Sequence, residues 1–157
     1  MIGDVIKFLR ESNAIEGVFD EDSLIQAKYA WDYLMSEKVL TYDVLLKTHK
    51  ILMLHQKLMP NEKGYFRTVQ VYIGGHEALH FSQIRVALYG WLKLMNDELC
   101  SRDWKQLHIM YEGIHPFIDG NGRTGRMFMN WQRVRVGLPI LTILNDEKRE
   151  YYQWFEK

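Results

Sequence analysis

The sequence predicts one all-α domain with a single β-like excursion, and three observations lead there. Only three prolines, Pro60, Pro116 and Pro139, interrupt 157 residues. The segments between them repeat apolar residues three and four apart, the spacing of a buried helical stripe. One stretch, residues 64–75, breaks that period with β-branched and aromatic residues set between glycines. The length suits one core rather than two. With 47% hydrophobic and 13% aromatic residues, the chain carries enough apolar surface to offset the entropy of ordering it.

Taken in order, Asp20 and Asp22 offer capping carboxylates to a helix over 21–36, whose stripe is Leu24, Ala27, Tyr29, Ala30, Trp31 and Leu34. A second helix runs from Thr41 or Tyr42 to Met59 on Val44, Leu45, Thr48, Ile51, Leu52, His55 and Leu58, and Pro60-Asn61 with Gly64 stops it. Residues 64–75 read as a short hairpin or extended flap, Gly64 before it and Gly74-Gly75 after. Helical period resumes over 82–99 and 103–114 and halts at His115-Pro116. The turn Gly120-Asn121-Gly122 leads into a helix over 123–136, ended by Gly137 and Pro139, and a last helix fills 146–156. No repeat, low-complexity tract or linker divides the chain, so 1–157 is one domain.

Twenty basic residues balance twenty acidic ones, which argues against charge-driven, sequence-independent binding of nucleic acid. No apolar run approaches a membrane span, and Met1-Ile2-Gly3-Asp4 lacks the order of a secretory signal, so a cytoplasmic protein is expected. Cys100, the lone cysteine, has no partner for a disulfide or a structural zinc site.

Chemistry concentrates in His115-Pro116-Phe117-Ile118-Asp119-Gly120-Asn121-Gly122-Arg123-Thr124-Gly125-Arg126. Glycines on both sides of Asn121 let the backbone turn so that successive N–H groups converge, an anion nest. The helix starting near residue 122 points its unsatisfied N–H groups and positive dipole end at the same place. Arg123 and Arg126, three apart, present two guanidinium forks on one face, as a phosphate requires. Asp119 beside a phosphate calls for a cation, for which Mg2+ is the natural choice, and His115 can take a proton near neutral pH. Base, metal carboxylate, nest and two arginines are the parts of phosphoryl or nucleotidyl transfer. In this composition such a string arises by chance about once in several million sequences.

These residues resemble the signature H-P-F-x-(D/E)-G-N-G-R-x-x-R of the Fic (filamentation induced by cAMP) family, and every fixed position matches. The likeness extends to the helix over 43–59, to Gly64-Tyr65-Phe66-Arg67, to His108–Ile114 and to Asn130–Pro139, in order and spacing. The resemblance implies a helical bundle with a hairpin flap, in which the signature loop joins two helices. It implies transfer of AMP from ATP to a Ser, Thr or Tyr hydroxyl of a target protein or of the chain itself. His115 would be the base and Asp119 would hold Mg2+. The N–H groups of Gly120, Asn121 and Gly122 would stabilise the α-phosphate, Arg123 the β-phosphate and Arg126 the γ-phosphate, while Phe117 anchors the loop. Both glycines beside Asn121 are present, which favours AMP over phosphoryl transfer.

Ser12-Asn13-Ala14-Ile15-Glu16-Gly17 resembles the family's inhibitory motif (S/T)-x-x-x-E-(G/N). On a helical turn Ser12 and Glu16 share a face, and Gly17 suits the position just past a helix end. The implied role is a Glu16 carboxylate that pairs with Arg126 and competes with the ATP γ-phosphate. The flap, Gly64, Tyr65, Phe66, Arg67, Thr68, Val69, Gln70, Val71, Tyr72 and Ile73, would add a target's backbone as an extra strand. The proline pair common after the flap is replaced by Phe81-Ser82, which leaves target preference open.

Three rival readings stand beside this one. Removal of AMP, or transfer of another phosphate-containing group, would use the same loop. A catalytically silent nucleotide-binding module would need a substituted catalytic position, and none is seen. His76-Glu77-Ala78-Leu79-His80 spells H-E-x-x-H, a zinc hydrolase motif if helical, with Glu98 as a third ligand. That string is far less specific, expected about once in sixty such sequences. His49, His55 and His108 sit among apolar neighbours and are read as structural.

Overall fold

The computed structural model describes residues 2–156; Met1 and Lys157, the ends of the expected domain, lie outside it. Among the described residues seven α-helices follow one another: α1 Ile2–Ile15, α2 Glu21–Ser36, α3 Tyr42–Leu52, α4 Ile84–Met95, α5 Trp104–Ile114, α6 Asn121–Arg135 and α7 Lys148–Tyr152. Two short strands, β1 Tyr72–Ile73 and β2 His76–Glu77, pair antiparallel with Tyr72 opposite Glu77 and Ile73 opposite His76.

Local chemistry sets the boundaries. Asp20 caps α2 by accepting the Ser23 N–H at 3.0 Å, and Thr41 caps α3 by accepting that of Val44 at 3.2 Å. At the end of α1, Gly17 takes φ of +73°. Its N–H reaches the Ala14 carbonyl at 2.9 Å while that of Val18 reaches Asn13 at 3.0 Å, a Schellman closure.

The expected helix over 42–59 stops early, at Leu52. The reason lies in its last carbonyls: Gln26 Nε2 donates to that of Ile51 and Lys63 Nζ to that of Leu54. Side chains replace the next helical turn, so His55 and Leu58 are not helical. Tyr29, expected on the stripe of α2, is exposed. The last expected helix shortens to α7 between two 3-10 turns.

The core joins α1 to α6 through Phe8, Leu34, Leu45, Leu88, Trp91, Tyr111, Phe128 and Trp131. A satellite cluster of Ile15, Ile143 and Tyr151, with Trp154 and Phe155 against it, ties the end of α1 to the C-terminal segment. The central element is α6, buried from Asn121 to Arg133 except at Gly122, although it carries arginines, asparagines and a glutamine. Some of its polar groups bond to backbone outside the helix. Asn130 exchanges two bonds with the backbone of Leu141, and the Trp131 indole donates to the Glu37 carbonyl past α2. No helix among the described residues is long and apolar enough to cross a membrane.

The capping role of Asp20 yields a stability test. Asp20→Ala should lower unfolding free energy in urea by about 1 kcal/mol. Asp22→Ala, two residues on with no cap to lose, should stay within about 0.5 kcal/mol.

Candidate active site

The signature loop lies between the end of α5 and the start of α6. His115 caps α5 in the left-handed region, φ 51° and ψ 62°. It is the one non-glycine with positive φ among the described residues, a conformation costing roughly 1–2 kcal/mol. His115 Nδ1 lies 3.3 Å from the Glu112 carbonyl. A carbonyl only accepts, so Nδ1 carries the proton and Nε2 keeps a free lone pair. Burial lowers the His115 pKa below its ordinary 6.5, and the Arg67 charge acts in the same direction. At neutral pH the ring is a base.

Asn121 closes the loop with its side chain: the amide oxygen accepts the Phe117 N–H at 2.9 Å and the amide nitrogen donates to the Phe117 carbonyl at 2.8 Å. Gly120, at φ +86°, turns the chain into α6 where an added Cβ would lie 2.8 Å from Met53 Sδ. No side chain caps α6 and no acidic residue stands in its first turn, unlike α2 and α3. Two arginines instead sit at a positive helix end, an arrangement that repels itself until an anion arrives. Arg123 is 2% exposed. Its Nε and Nη1 have no hydrogen-bond partner, and Asp119 Oδ2 is 3.9 Å from its Nη2.

Arg126 is engaged. Its Nε donates to Ser12 Oγ at 2.8 Å, and its Nη2 to the Ser12 carbonyl at 3.1 Å and to Glu16 Oε1 at 2.8 Å. The Glu16 side chain, 36% exposed, lies over Gly122, where a Cβ would collide with its carboxylate. Glu16 also sits at the negative end of α1, a poor place for a carboxylate without the Arg126 charge.

Two residues that sequence reasoning undervalued hold the loop. Arg67, 3% exposed, donates from Nε to the His115 carbonyl at 2.7 Å and from Nη1 to that of Val69 at 2.9 Å. Its Nη2 reaches the carbonyls of Ile114 and Leu79. A cation on the last carbonyls of α5 is well placed, and it ties the flap to the base. His49, read as structural, accepts the Gly64 N–H at Nδ1 (2.9 Å) and so donates from Nε2 to the Asp119 carbonyl (2.8 Å). It stacks on Phe117 at 3.7 Å between ring centroids. The signal for Arg67 was present: it is the one charged residue between Gly64 and Ile73.

The flap differs from the expected hairpin over 64–75. Residues 64–71 are irregular because Phe66 packs on Phe117 and Arg67 turns inward. The hairpin turns at Gly74-Gly75, φ +53° and +86°, the positive pair of a tight two-residue loop. Its return strand is His76–Glu77. This removes the zinc hydrolase reading: His76 and Glu77 are consecutive in a strand and face opposite sides. His80 instead caps a 3-10 turn by accepting the Ser82 N–H at 3.2 Å. No group of three His, Cys, Asp or Glu among the described residues is arranged to hold a metal. Tyr65, Val69, Tyr72 and Ile73 remain exposed.

A family model described as the Fic/DOC family matches residues 40–132, so the chain belongs to the Fic/DOC family. It is 30% identical to "Protein adenylyltransferase Fic" of Drosophila melanogaster and of Drosophila yakuba, over 91% of this chain and 31% of each of those proteins. The chain thus spans about a third of the length of these curated relatives. Among solved structures, a Fic domain containing signaling protein from Bacteroides thetaiotaomicron aligns at TM-score 0.82 and 17% identity, over 97% of this chain and 70% of that one. Fic-1 from C. elegans aligns at TM-score 0.80 and 22% identity, over 94% of this chain and 53% of that one. The helical bundle with its two-stranded hairpin is therefore a Fic fold.

The buried histidines predict an acid response. Burial holds His49 at about 4 and His108 at about 3. Below 6.5 the unfolded chain therefore binds protons first, and stability falls as pH falls. Glu112, raised by burial to about 7, opposes this only between about 7 and its ordinary 4.5, where two histidines outweigh one glutamate. The urea midpoint should drop from pH 6.5 to 4, most steeply below about 4.5. A flat or rising midpoint contradicts the assignment.

Proposed function

We propose that the chain transfers AMP from ATP to a hydroxyl side chain of a protein, and that Glu16 restrains it. The observation that carries this is the pair of buried arginines at an uncapped helix start, one with two unpartnered nitrogens and the other held by a carboxylate. The Drosophila relatives, named adenylyltransferases, support the same reaction.

In the proposed reaction the target hydroxyl gives its proton to His115 Nε2 as its oxygen attacks the α-phosphorus. The bond to the oxygen bridging the α- and β-phosphates breaks, and pyrophosphate leaves. The N–H groups of Asn121 and Gly122 would face the charge that develops on the α-phosphate, whereas the Gly120 N–H, expected to join them, is donated to the Asp119 carboxylate. Arg123 grips the β-phosphate with its free nitrogens, and Arg126 the γ-phosphate once Glu16 is displaced.

Asp119 fits Mg2+. Its side chain is 62% exposed, with one oxygen accepting the Gly120 N–H at 2.8 Å and the other 3.9 Å from Arg123 Nη2. Mg2+ binds through one or two carboxylates plus substrate phosphates and keeps its waters. Bound there, it would offset charge between the α- and β-phosphates.

Arg67 places the base and the exposed flap in one rigid frame. A target strand laid along β1 would bring its hydroxyl toward His115. A second reading, removal of AMP, is favoured by the Glu16 carboxylate, which is half-open to solvent over Gly122 and could orient a water.

Label from α-labelled ATP tests the proposal. With Mg2+, Glu16→Gly should label itself or a lysate protein about tenfold or more above wild type. His115→Ala in that background should lower labelling about 10²- to 10⁴-fold. No labelling in any variant, with release of AMP from a modified protein instead, moves the assignment to the second reading.

A further inference from the structure

Arg126 is 1% exposed and has partners on two sides. Ser12 of α1 and Glu16 just past its end accept three of its hydrogen bonds. On the opposite side its Nη1 donates to the Tyr151 hydroxyl at 3.2 Å, and its guanidinium carbon lies 5.5 Å from the Tyr151 ring centroid. An arginine N–H only donates, so the Tyr151 oxygen accepts. The Tyr151 proton then donates to His108 Nε2, 2.7 Å away. That leaves His108 neutral with its proton on Nδ1. The three groups form a directed series from guanidinium to phenol to imidazole, buried throughout: Tyr151 is 3% exposed and His108 2%.

If α1 withdraws to free Arg126, three of these four hydrogen bonds go with it. An arginine side chain released from its contacts regains rotamer entropy, which would oppose a fixed aim at a phosphate. Tyr151 loses Ile15 of α1 but keeps Ile143, with Trp154 at 5.1 Å and Phe155 at 5.2 Å between ring centroids, so its bond to Arg126 stays. His108 stays as well, on α5 within the core.

We propose that Tyr151, oriented by His108, is a positioning residue that keeps Arg126 aimed at the γ-phosphate seat after Glu16 has left. The proposal rests on the reading that Arg126 receives the γ-phosphate. It gives the C-terminal segment a part in choosing the nucleotide: the cradle acts on triphosphates and is indifferent to diphosphates.

The test compares ATP and ADP affinities by calorimetry in the Glu16→Gly background, since ADP lacks the group that Arg126 holds. Adding Tyr151→Phe should weaken ATP binding about tenfold, the loss of a hydrogen bond to a charged group, with ADP unchanged. Adding Arg126→Ala should bring ATP down to the affinity of ADP. If Arg126→Ala weakens ATP but Tyr151→Phe weakens neither nucleotide, or both equally, the cradle is overturned and the γ-phosphate reading stands. If Arg126→Ala leaves ATP binding intact, both fall. Should Tyr151→Phe fail to fold, His108→Ala frees the phenol to rotate away from Arg126 and carries the same expectation: ATP weakened, ADP unchanged.

Discussion

A guanidinium withdrawn from water in the second turn of the central helix is the constraint around which this chain is arranged. Arg126 cannot lose its charge, and a buried charge left unpaired is expensive. The fold therefore brings partners to it from both ends of the sequence: Ser12 and Glu16 from α1, and Tyr151 from α7. The satellite cluster of Ile15, Ile143 and Tyr151 is the apolar counterpart of this arrangement, since it packs the residue beside Glu16 against the ring that touches Arg126. Glu16 adds a carboxylate at a helix end where the dipole disfavours it, so its seat depends on the arginine. A partner of that kind is one a γ-phosphate can displace.

The same economy governs the loop. Its irregular backbone is held by side chains that bond carbonyls and amides: Asn121 to Phe117, His49 to Asp119 and Gly64, Arg67 to His115 and Ile114. These bonds keep His115 in a left-handed conformation that an isolated chain would avoid. Because Arg67 and His49 also reach the flap, the surface proposed to receive a target and the base proposed to act on it share one support. The start of α6 has no side-chain cap and two nitrogens of Arg123 have no partner, and a helix start with spare donors is where an anion belongs.

Much of this was legible in the sequence because the relevant spacings are short. The twelve residues from His115 to Arg126 carry base, nest and arginines within one turn of chain, and α2 was bounded correctly by its capping Asp20. The pairing of Glu16 with Arg126 was legible through the inhibitory motif, although 110 positions separate them. What was hidden depends on tertiary partners. Gln26 ended α3 early by taking the Ile51 carbonyl, and Lys63 took that of Leu54 just past the end. His49 and Tyr151 looked like ordinary core residues because an apolar helical stripe gives no sign of which polar atom a loop will bring to it. The H-E-x-x-H string misled for a local reason: a two-glycine turn immediately before it makes a hairpin, and a strand separates residues that a helix would gather.

The central claim is that one seat on Arg126 is contested by the Glu16 carboxylate and the terminal phosphate of ATP. The most direct measurement is the ratio of ATP to ADP affinity of the unmodified chain, by calorimetry with Mg2+. With Glu16 in place the γ-phosphate has no seat to gain, so the two nucleotides should bind within about threefold of one another. A wild-type chain that binds ATP far more tightly than ADP would show that Glu16 does not occupy the γ-phosphate seat, and would contradict the account.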